Sequence, residues 1–551
     1  MHSLVTRRRD WERIAAAALL LLAVLWRLPF LGAGIDYKDT GYYLAGYKHA
    51  FSPGGLDDIG LFMTNLTGGL LYRLLPSHHL LAFRVLDAVA YAGIAVMLFR
   101  TLRGAFPDAA LAGVLLAASL VVRRLPMTLS YNTFTALFCA AAFCLLYTGL
   151  AKGKPRLAAL PGLAVGLGVF YRVPNVLQLG YCAAIAWHFL LCERDLRRMG
   201  KHILRFFLGA LGGLLIAFLC MFAAIGPGAA LDSLLLYART FLSGGGGYSL
   251  PYFLDIFARQ VRDLSSSLFG NQPFSVLRLT YLTGLLCLLL GLPTAVLIRR
   301  RSPRDSLLLF LCAQTAVFLA IGSNTVMNLW SALLAPLLLG TLVSLRHLLL
   351  LIPGIRPARR ALLAGCMAGL LAMGAFHALR LYNNNYLDAR VAELTDSVPA
   401  PELAGMRTTP RRAGDLRTAD ELLSRPDVRG RELIVMGSFP LGAVLADSRL
   451  FFSEPWGSWP DLASININRV TGILREKEEE GVRPAILVSY LEINDEPTRK
   501  TFRGAKKVEA VLAFAQRNGY VLAYKDADFE LHVPPGGPDA APPAAVGIHI
   551  P

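Results

Sequence analysis

Charged residues are scarce in this chain. Only 17% of its 551 residues are Asp, Glu, Lys or Arg, whereas 55% are hydrophobic. A soluble protein of this composition would lack the polar surface needed to cover itself, which excludes an ordinary soluble globular fold. We therefore expect most of the chain to be solvated by lipid.

Cysteines are few, and acidic residues are outnumbered by basic ones. The eight cysteines lie in or beside apolar runs, and no pair has the spacing of metal ligands, which predicts reduced thiols that serve as small core residues. The chain has 55 Lys and Arg against 38 Asp and Glu, a net charge of +17. In a membrane protein such an excess belongs on the cytoplasmic side, so we expect no nucleic-acid partner.

Long apolar runs are abundant. The first extends from Ile14 to Leu31, follows Arg7-Arg8-Arg9 and lacks a small-residue cleavage site, which predicts an uncleaved first span with a cytoplasmic N-terminus. Further runs of about 20 residues, the length that crosses a bilayer, centre near residues 90, 116, 140, 163, 183, 214, 287, 314, 338 and 370. The sequence therefore predicts a polytopic α-helical membrane protein with about eleven transmembrane helices.

The basic clusters are consistent with alternating spans. Five clusters on alternate loops begin at Arg100, Lys152, Arg194, Arg299 and Arg356. Because Lys and Arg concentrate in cytoplasmic loops, we expect these loops to be cytoplasmic. The other loops and everything after Asn383 are then expected outside a cell (plasma or inner) membrane.

A polar region begins at Tyr382-Asn383-Asn384-Asn385. The patterns beyond it predict a helix over Ala413–Ser424, strands at Glu432–Met436 and Ala485–Tyr490, a helix over Lys506–Gln516 and a strand pair around Val521–Val533. They indicate a small extracytoplasmic α/β domain at residues 384–533, after a transmembrane domain at residues 1–383. Pro534–Pro551, rich in Pro, Ala and Gly, is predicted to be a disordered tail.

The first external loop, residues 32–77, contains two carboxylates three residues apart, Asp36 and Asp39. A tyrosine-rich helical pattern follows with Tyr42, Tyr43 and Tyr47, so Asp39 sits where a helix would begin and is predicted to cap it. The functional interpretation is a base at the lip of a membrane cavity. Both interpretations stay open, because a carboxylate oriented by a helix end can still face a substrate.

Polar residues collect at the external ends of the predicted spans, where their cost near lipid makes them informative. Arg84 and Asp87 stand one helical turn apart, which favours a structural ion pair. Arg27, near the end of the first span, is interpreted as a side chain that reaches the interface. Tyr131 and Asn132 open the fourth span.

Three arginines lie on the side of the membrane where arginine is normally scarce, namely Arg123, Arg124 and Arg172. Guanidinium groups pair well with phosphate. Together with the two aspartates they suggest an anion-binding pocket. We predict that Arg172, followed by Arg124 and Arg123, binds phosphate.

The segment Asp39-Thr-Gly-Tyr-Tyr-Leu44 resembles the Asp-Glu-Gly-Tyr-Tyr-Leu type motif of GT-C membrane glycosyltransferases, closest to the protein O-mannosyltransferases and the bacterial lipid A aminoarabinose transferases. Leu70–Leu102, Ser130–Thr133 and Phe170–Pro174 match segments of this family in the same order. The likeness covers residues 10–190 well and the later spans loosely. Thr40 departs from the pattern, since a second acid is common there.

The resemblance implies an inverting glycosyltransferase of the cell envelope. It would move a sugar from a polyprenyl-phosphate-linked donor to a hydroxyl of a lipid, glycan or protein acceptor at the outer face of the membrane, with Asp39 as general base. Part of that role is expected to fall to Asp36, and the division between the two stays open. The predicted substrate-binding residues are Tyr43, Tyr131, Asn132 and Arg84. This chemistry requires no metal ion or other cofactor.

Other functions remain in competition with this one. A lipid-linked oligosaccharide flippase or other transporter tends to show internal repeats and ionisable groups at mid-membrane depth, whereas the polar residues here gather at one face. A glycan polymerase or ligase is separated from a monosaccharide transferase only by the Asp39 motif. A non-catalytic scaffold for envelope assembly is the third alternative.

Overall fold

The computed structural model describes residues 2–52, 54–56, 58–122, 128–242, 276–321, 330–352, 354, 356–383, 388–453, 455, 467–491 and 505–536. The chain divides into two compact units. The helical unit consists of Met1–Leu31, Arg84–Ala224 and Pro251–Asn385, and the mixed unit consists of Gly32–Phe83, Ile225–Leu250 and Tyr386–Pro551. Residues 32–77, which the sequence predicts to be the first external loop, therefore belong to the same unit as the C-terminal region.

The described residues form eighteen α-helices. They are α1 (His2–Leu25), α2 (Asp39–Lys48), α3 (Phe62–Leu74), α4 (His79–Leu102), α5 (Asp108–Leu120), α6 (Tyr131–Ala151), α7 (Ala159–Tyr171), α8 (Cys182–Trp187), α9 (Leu196–Ile225), α10 (Pro227–Leu242), α11 (Val276–Ile298), α12 (Pro303–Ile321), α13 (Trp330–Leu349), α14 (Arg356–Tyr382), α15 (Pro410–Leu423), α16 (Gly442–Leu445), α17 (Ile467–Glu479) and α18 (Ala505–Arg517).

The helices establish a multi-pass membrane protein. Among the described residues, six helical segments are long and apolar enough to cross a bilayer, namely Asp10–Phe30, His79–Leu102, Tyr131–Ala151, Val173–Glu193, Leu196–Ile225 and Ala361–Tyr382. Every other predicted apolar run also contains a helix, but several are short. The 13 residues of α5 rise only about 20 Å against a hydrocarbon core of about 30 Å. By length and composition, the described helices thus support six spans of the predicted eleven.

The core of the helical unit consists of aliphatic, aromatic and small side chains from α4 to α9 and from α11 to α13. Helices α7 and α9 approach one another through glycines. A Cβ atom on Gly162 or Gly166 would overlap the backbone of Phe206 or Ala210. Close packing through small residues is a common way for helices to associate in lipid, where there is no hydrophobic drive between them.

The mixed unit contains six described strands. They are β1 (Asp396–Ser397), β2 (Arg407–Thr408), β3 (Leu433–Met436), β4 (Ala485–Ser489), β5 (Val521–Lys525) and β6 (Phe529–Val533). Strands β1 and β2 form an antiparallel pair, while the larger sheet has the order β3-β4-β6-β5. Strands β3 and β4 are parallel and completely buried, which explains their continuous apolar sequences. The antiparallel pairs β4–β6 and β5–β6 complete the sheet.

The elements predicted for the C-terminal region are present close to their predicted bounds. They correspond to α15, β3, β4, α18 and the β5–β6 pair. Helix α17 was not predicted, because it is largely polar and buries only Val470 and Leu474 against the sheet core. The predicted tail lies outside the described residues from residue 537 onwards.

Candidate functional site

The acidic pair of the first loop lies at the beginning of α2. Asp39 is the first helical residue and Lys38 is the N-cap. The acceptor that caps the helix is Asp36, whose Oδ1 accepts the N–H of Lys38 at 2.8 Å and whose Oδ2 accepts the N–H of Thr40 at 2.9 Å. The N–H groups of a first helical turn have no partner within the helix, so a carboxylate there stabilises it. The prediction that Asp39 caps this helix is therefore wrong.

The two carboxylates occupy different environments. Asp36 is 4% exposed, with both oxygens used by backbone donors. Asp39 is partly exposed and lies in the first turn of α2, where a negative charge interacts favourably with the helix dipole. Tyr43 follows Asp39 at the i+4 position and thus lies on the same helix face. Tyr43 is buried and packs edge-to-face against Tyr42, with ring centroids 5.8 Å apart.

Asp58 is an acid of the first loop that the sequence analysis did not single out. Its Oδ1 accepts the N–H of Gly60 at 2.9 Å and so caps a short 3₁₀ turn over Ile59–Leu61. Burial raises the pKa of Asp58 to about 6, against the lowering effect of that hydrogen bond. Nothing in its local sequence signals this shift, which depends on burial in the folded unit.

Three predicted site residues come together in the helical unit. The Arg172 guanidinium donates through Nη1 to Oδ1 of Asn132 at 2.9 Å, and its carbon lies 4.6 Å from the ring centroid of Tyr131. Arg172 is only 6% exposed. Helix α6 begins at Tyr131 and the neighbouring α7 ends just before Arg172, so antiparallel packing places these groups side by side.

Buried amides support the turn that follows Arg172. Nδ2 of Asn175 donates to Oγ1 of Thr135 at 3.1 Å and to the carbonyl oxygen of Gly168 at 2.8 Å. Gln178 donates to Oδ1 of Asn175 at 3.4 Å. These bonds connect the turn to α6 and α7, which restricts the backbone that carries Arg172.

A buried ion pair joins α4 to Arg27, two residues after the end of α1. Nη1 of Arg27 lies 3.4 Å from Oδ2 of Asp87, and Oδ1 of Asp87 accepts from Oγ1 of Thr133. The Arg27 guanidinium lies over the ring of Tyr91 at 4.2 Å and is 4% exposed, so the interpretation of Arg27 as an interfacial side chain is wrong. Arg84, predicted to pair with Asp87, is 1% exposed and donates to the Leu31 carbonyl at 3.0 Å.

Two of the three arginines that were predicted to bind phosphate, Arg123 and Arg124, lie outside the described residues. In the structure all eight cysteines are free thiols, of which Cys139, Cys144, Cys287 and Cys312 are buried and the other four are partly buried. Their reduced state stays a prediction. Within the described ranges, no group of three or more His, Cys, Asp or Glu side chains is arranged to hold a metal ion. The metal-free mechanism stays a prediction.

Comparison with known proteins gives matches among solved structures alone. No protein-family model and no curated protein matches the chain. The apo structure of ArnT from Cupriavidus metallidurans has a TM-score of 0.49 at 13% identity and covers 95% of this chain and 97% of that chain. The same protein bound to undecaprenyl phosphate gives 0.44 at 12%, with coverage of 95% and 98%.

A second similar structure is the archaeal oligosaccharyltransferase AglB from Archaeoglobus fulgidus, in complex with an inhibitory peptide and a dolichol-phosphate. Its TM-score is 0.47 at 13% identity, with coverage of 96% of this chain and 74% of that chain. These solved proteins are GT-C membrane glycosyltransferases, the class that the Asp39 motif resembles. At such identities and TM-scores the similarity assigns no role to any residue.

Proposed function

We propose that the chain is an inverting glycosyltransferase that moves a sugar from a polyprenyl-phosphate-linked donor to an acceptor hydroxyl at the outer face of the cell membrane. The observation that carries this proposal is that the two carboxylates of the first loop have different surroundings. Asp36 is engaged by backbone N–H groups, whereas Asp39 is partly exposed on the helix turn that Asp36 caps. A general base must be fixed in position and yet within reach of the proton it removes.

Arg172 is the proposed ligand of the donor phosphate. Its contacts with Asn132 and Tyr131 fix the plane of the guanidinium. Such a preoriented group binds phosphate without a further loss of side-chain freedom. Because Arg172 is almost fully buried, its charge acts in a low dielectric, where it stabilises the charge of the leaving phosphate more strongly than it would in water.

The proposed reaction is a single displacement. The acceptor oxygen attacks the anomeric carbon while the Asp39 carboxylate takes the hydroxyl proton. The bond between the anomeric carbon and the phosphate oxygen breaks, and the polyprenyl phosphate leaves with the electron pair. Attack opposite to the leaving group inverts the anomeric configuration.

Transfer of labelled sugar tests this function. Membranes containing the full chain are supplied with polyprenyl-phosphate-linked radioactive sugars and with candidate lipid, glycan and peptide acceptors. We expect wild type to form a new glycosidic bond, Asp39→Asn to lose about 10²–10⁴-fold in rate and Arg172→Ala to lose about 10²–10³-fold. Asp447→Asn and Arg198→Ala, at exposed positions, serve as matched controls.

Two results would contradict the proposal. If both variants fold and transfer sugar at the wild-type rate, the assigned residues are wrong. If wild type moves lipid-linked sugar across the membrane without forming a glycosidic bond, the chain is a transporter.

A further inference from the structure

The first loop covers the edge of the sheet where an α/β domain ordinarily binds its ligand, at the carboxyl ends of parallel strands. Strand β3 is followed by Gly437, whose φ of +91° and contact with the Ser489 carbonyl leave no room for a side chain. The turn that follows donates from the Leu441 N–H to the Tyr37 carbonyl at 3.2 Å. A Cβ on Gly41 of α2 would overlap the backbone of Leu441.

Lys48 anchors the end of α2 to α16. Its Nζ donates to the carbonyls of Val444 at 2.6 Å and Ala446 at 2.9 Å, and to Oε1 of Glu402 at 3.2 Å. Carbonyls at a helix C-terminus have no partner within the helix, and an ammonium group has three N–H donors. These three contacts therefore use all three N–H donors of the Lys48 ammonium group.

Hydrogen bonds also attach the segment before Asp36 to residues of the C-terminal region. The Ile35 N–H donates to Oδ2 of Asp388 at 2.7 Å, and the Ile35 carbonyl accepts from Nη1 of Arg412 at 3.1 Å. Nε of Arg412 lies 3.7 Å from Oδ1 of Asp388, and its guanidinium stacks on Tyr37 at 4.7 Å. Both ends of the loop segment that carries the acids are thus attached to residues after 386.

We propose that the C-terminal region positions the catalytic loop, with Lys48 and Arg412 as its positioning residues. This inference rests on the proposed role of Asp39. The ten residues of α2 form one helix about 15 Å long. A clamp at Lys48 therefore restricts where Asp39 sits at the other end. Because displacement of a base by about 1 Å can cost about 10²-fold in rate, loosening the clamp lowers kcat and leaves donor binding largely intact.

The test combines kinetics with amide hydrogen exchange of α2 in the full-length protein. We expect Lys48→Met to accelerate exchange within residues 39–48 and to lower kcat by about tenfold or more, with an almost unchanged KM for the donor. Lys48→Arg should recover part of kcat, because it keeps a charged donor. Lys477→Met is the control, since Lys477 pairs with Glu480 at the C-terminal end of α17 in the same unit.

If a folded Lys48→Met protein has the same α2 hydrogen-exchange rates and the same kcat as wild type, the inference is overturned. If this variant does not accumulate, Arg412→Lys examines the other attachment and is expected to give the same pair of effects. Faster α2 exchange in Lys48→Met together with no sugar transfer by wild type would support the clamp and refute the proposed function.

Discussion

At the residue scale, the assignment of the helix cap distinguishes Asp36 from Asp39. The sequence indicated a helix with an acid at its start, but two acids three residues apart are equivalent candidates in a local pattern. The choice depends on the backbone at Lys38, with φ −93° and ψ −86°, which brings the Asp36 oxygens to the N–H groups of Lys38 and Thr40. Torsions of this kind follow from the packing of the whole loop.

Loss of this cap should destabilise the loop. We expect Asp36→Ala to lower the free energy of unfolding by about 0.5–2 kcal/mol, because two backbone N–H groups lose their acceptor. Asp36→Asn should be milder, since its amide oxygen still accepts. Thermal unfolding of the purified protein measures both variants, and an Asp36→Ala protein as stable as wild type would refute the capping role.

His49 should make stability depend on pH. Its pKa is lowered to about 4, chiefly by burial; the hydrogen bond with the Ala443 carbonyl raises the pKa and the neighbouring Lys48 cation lowers it. Between pH 4 and its ordinary pKa of about 6.5, the unfolded chain binds a proton that the folded chain does not. The contribution of neutral His49 to the free energy of unfolding is therefore complete above pH 6.5 and decreases as the pH falls towards 4.

His49→Gln removes the titrating group and isolates this effect. Wild type should lose up to roughly 3 kcal/mol more stability than His49→Gln over this range, and other groups such as Asp58 cancel in the comparison. Thermal unfolding midpoints between pH 4 and 7 give the measurement. Parallel profiles for the two proteins would show that His49 does not titrate in this way.

At the element scale, the close approach of α2 to the turn before α16 can be tested with glycine substitutions. Gly41→Ala places a methyl group 2.4 Å from the Leu441 nitrogen, and backbone cannot move aside as a flexible side chain can. We expect a destabilisation of about 1–3 kcal/mol from this overpacking. Gly472→Ala in α17 meets open space and should stabilise its helix by about 0.5–1 kcal/mol. A thermal unfolding midpoint that is lowered by Gly41→Ala and raised by Gly472→Ala would confirm the contact. A stabilising effect of Gly41→Ala would exclude it.

The elements that the sequence predicted well are those with strong local patterns. Apolar runs gave the membrane helices, and the local patterns at Glu432–Met436, interpreted as alternating, and at Ala485–Tyr490 gave the strands β3 and β4, which are in fact completely buried. The association of residues 32–83 with the C-terminal region was not predictable in this way. It depends on contacts such as the bridge between Ala33 and Arg407, which join segments far apart in the chain and leave no periodic signal.

At the scale of the whole molecule, the proposed orientation in the membrane is open to labelling. In a cysteine-free full-length protein in intact cells, Asp447→Cys should react with a membrane-impermeant maleimide, because the C-terminal region is proposed to lie outside. Lys201→Cys should react only after permeabilisation, since basic loops stay cytoplasmic. The reverse pattern would contradict the proposed orientation.

The most direct measurement of the central claim compares sugar transfer by Asp39→Asn and Asp36→Asn under identical conditions. The account predicts that Asp39→Asn loses about 10²–10⁴-fold in kcat, because the base itself is gone. Asp36→Asn should retain most of the activity, because it keeps an acceptor for the helix cap. An Asp36→Asn protein without activity beside an Asp39→Asn protein at the wild-type rate would contradict the assignment of Asp39 as the base.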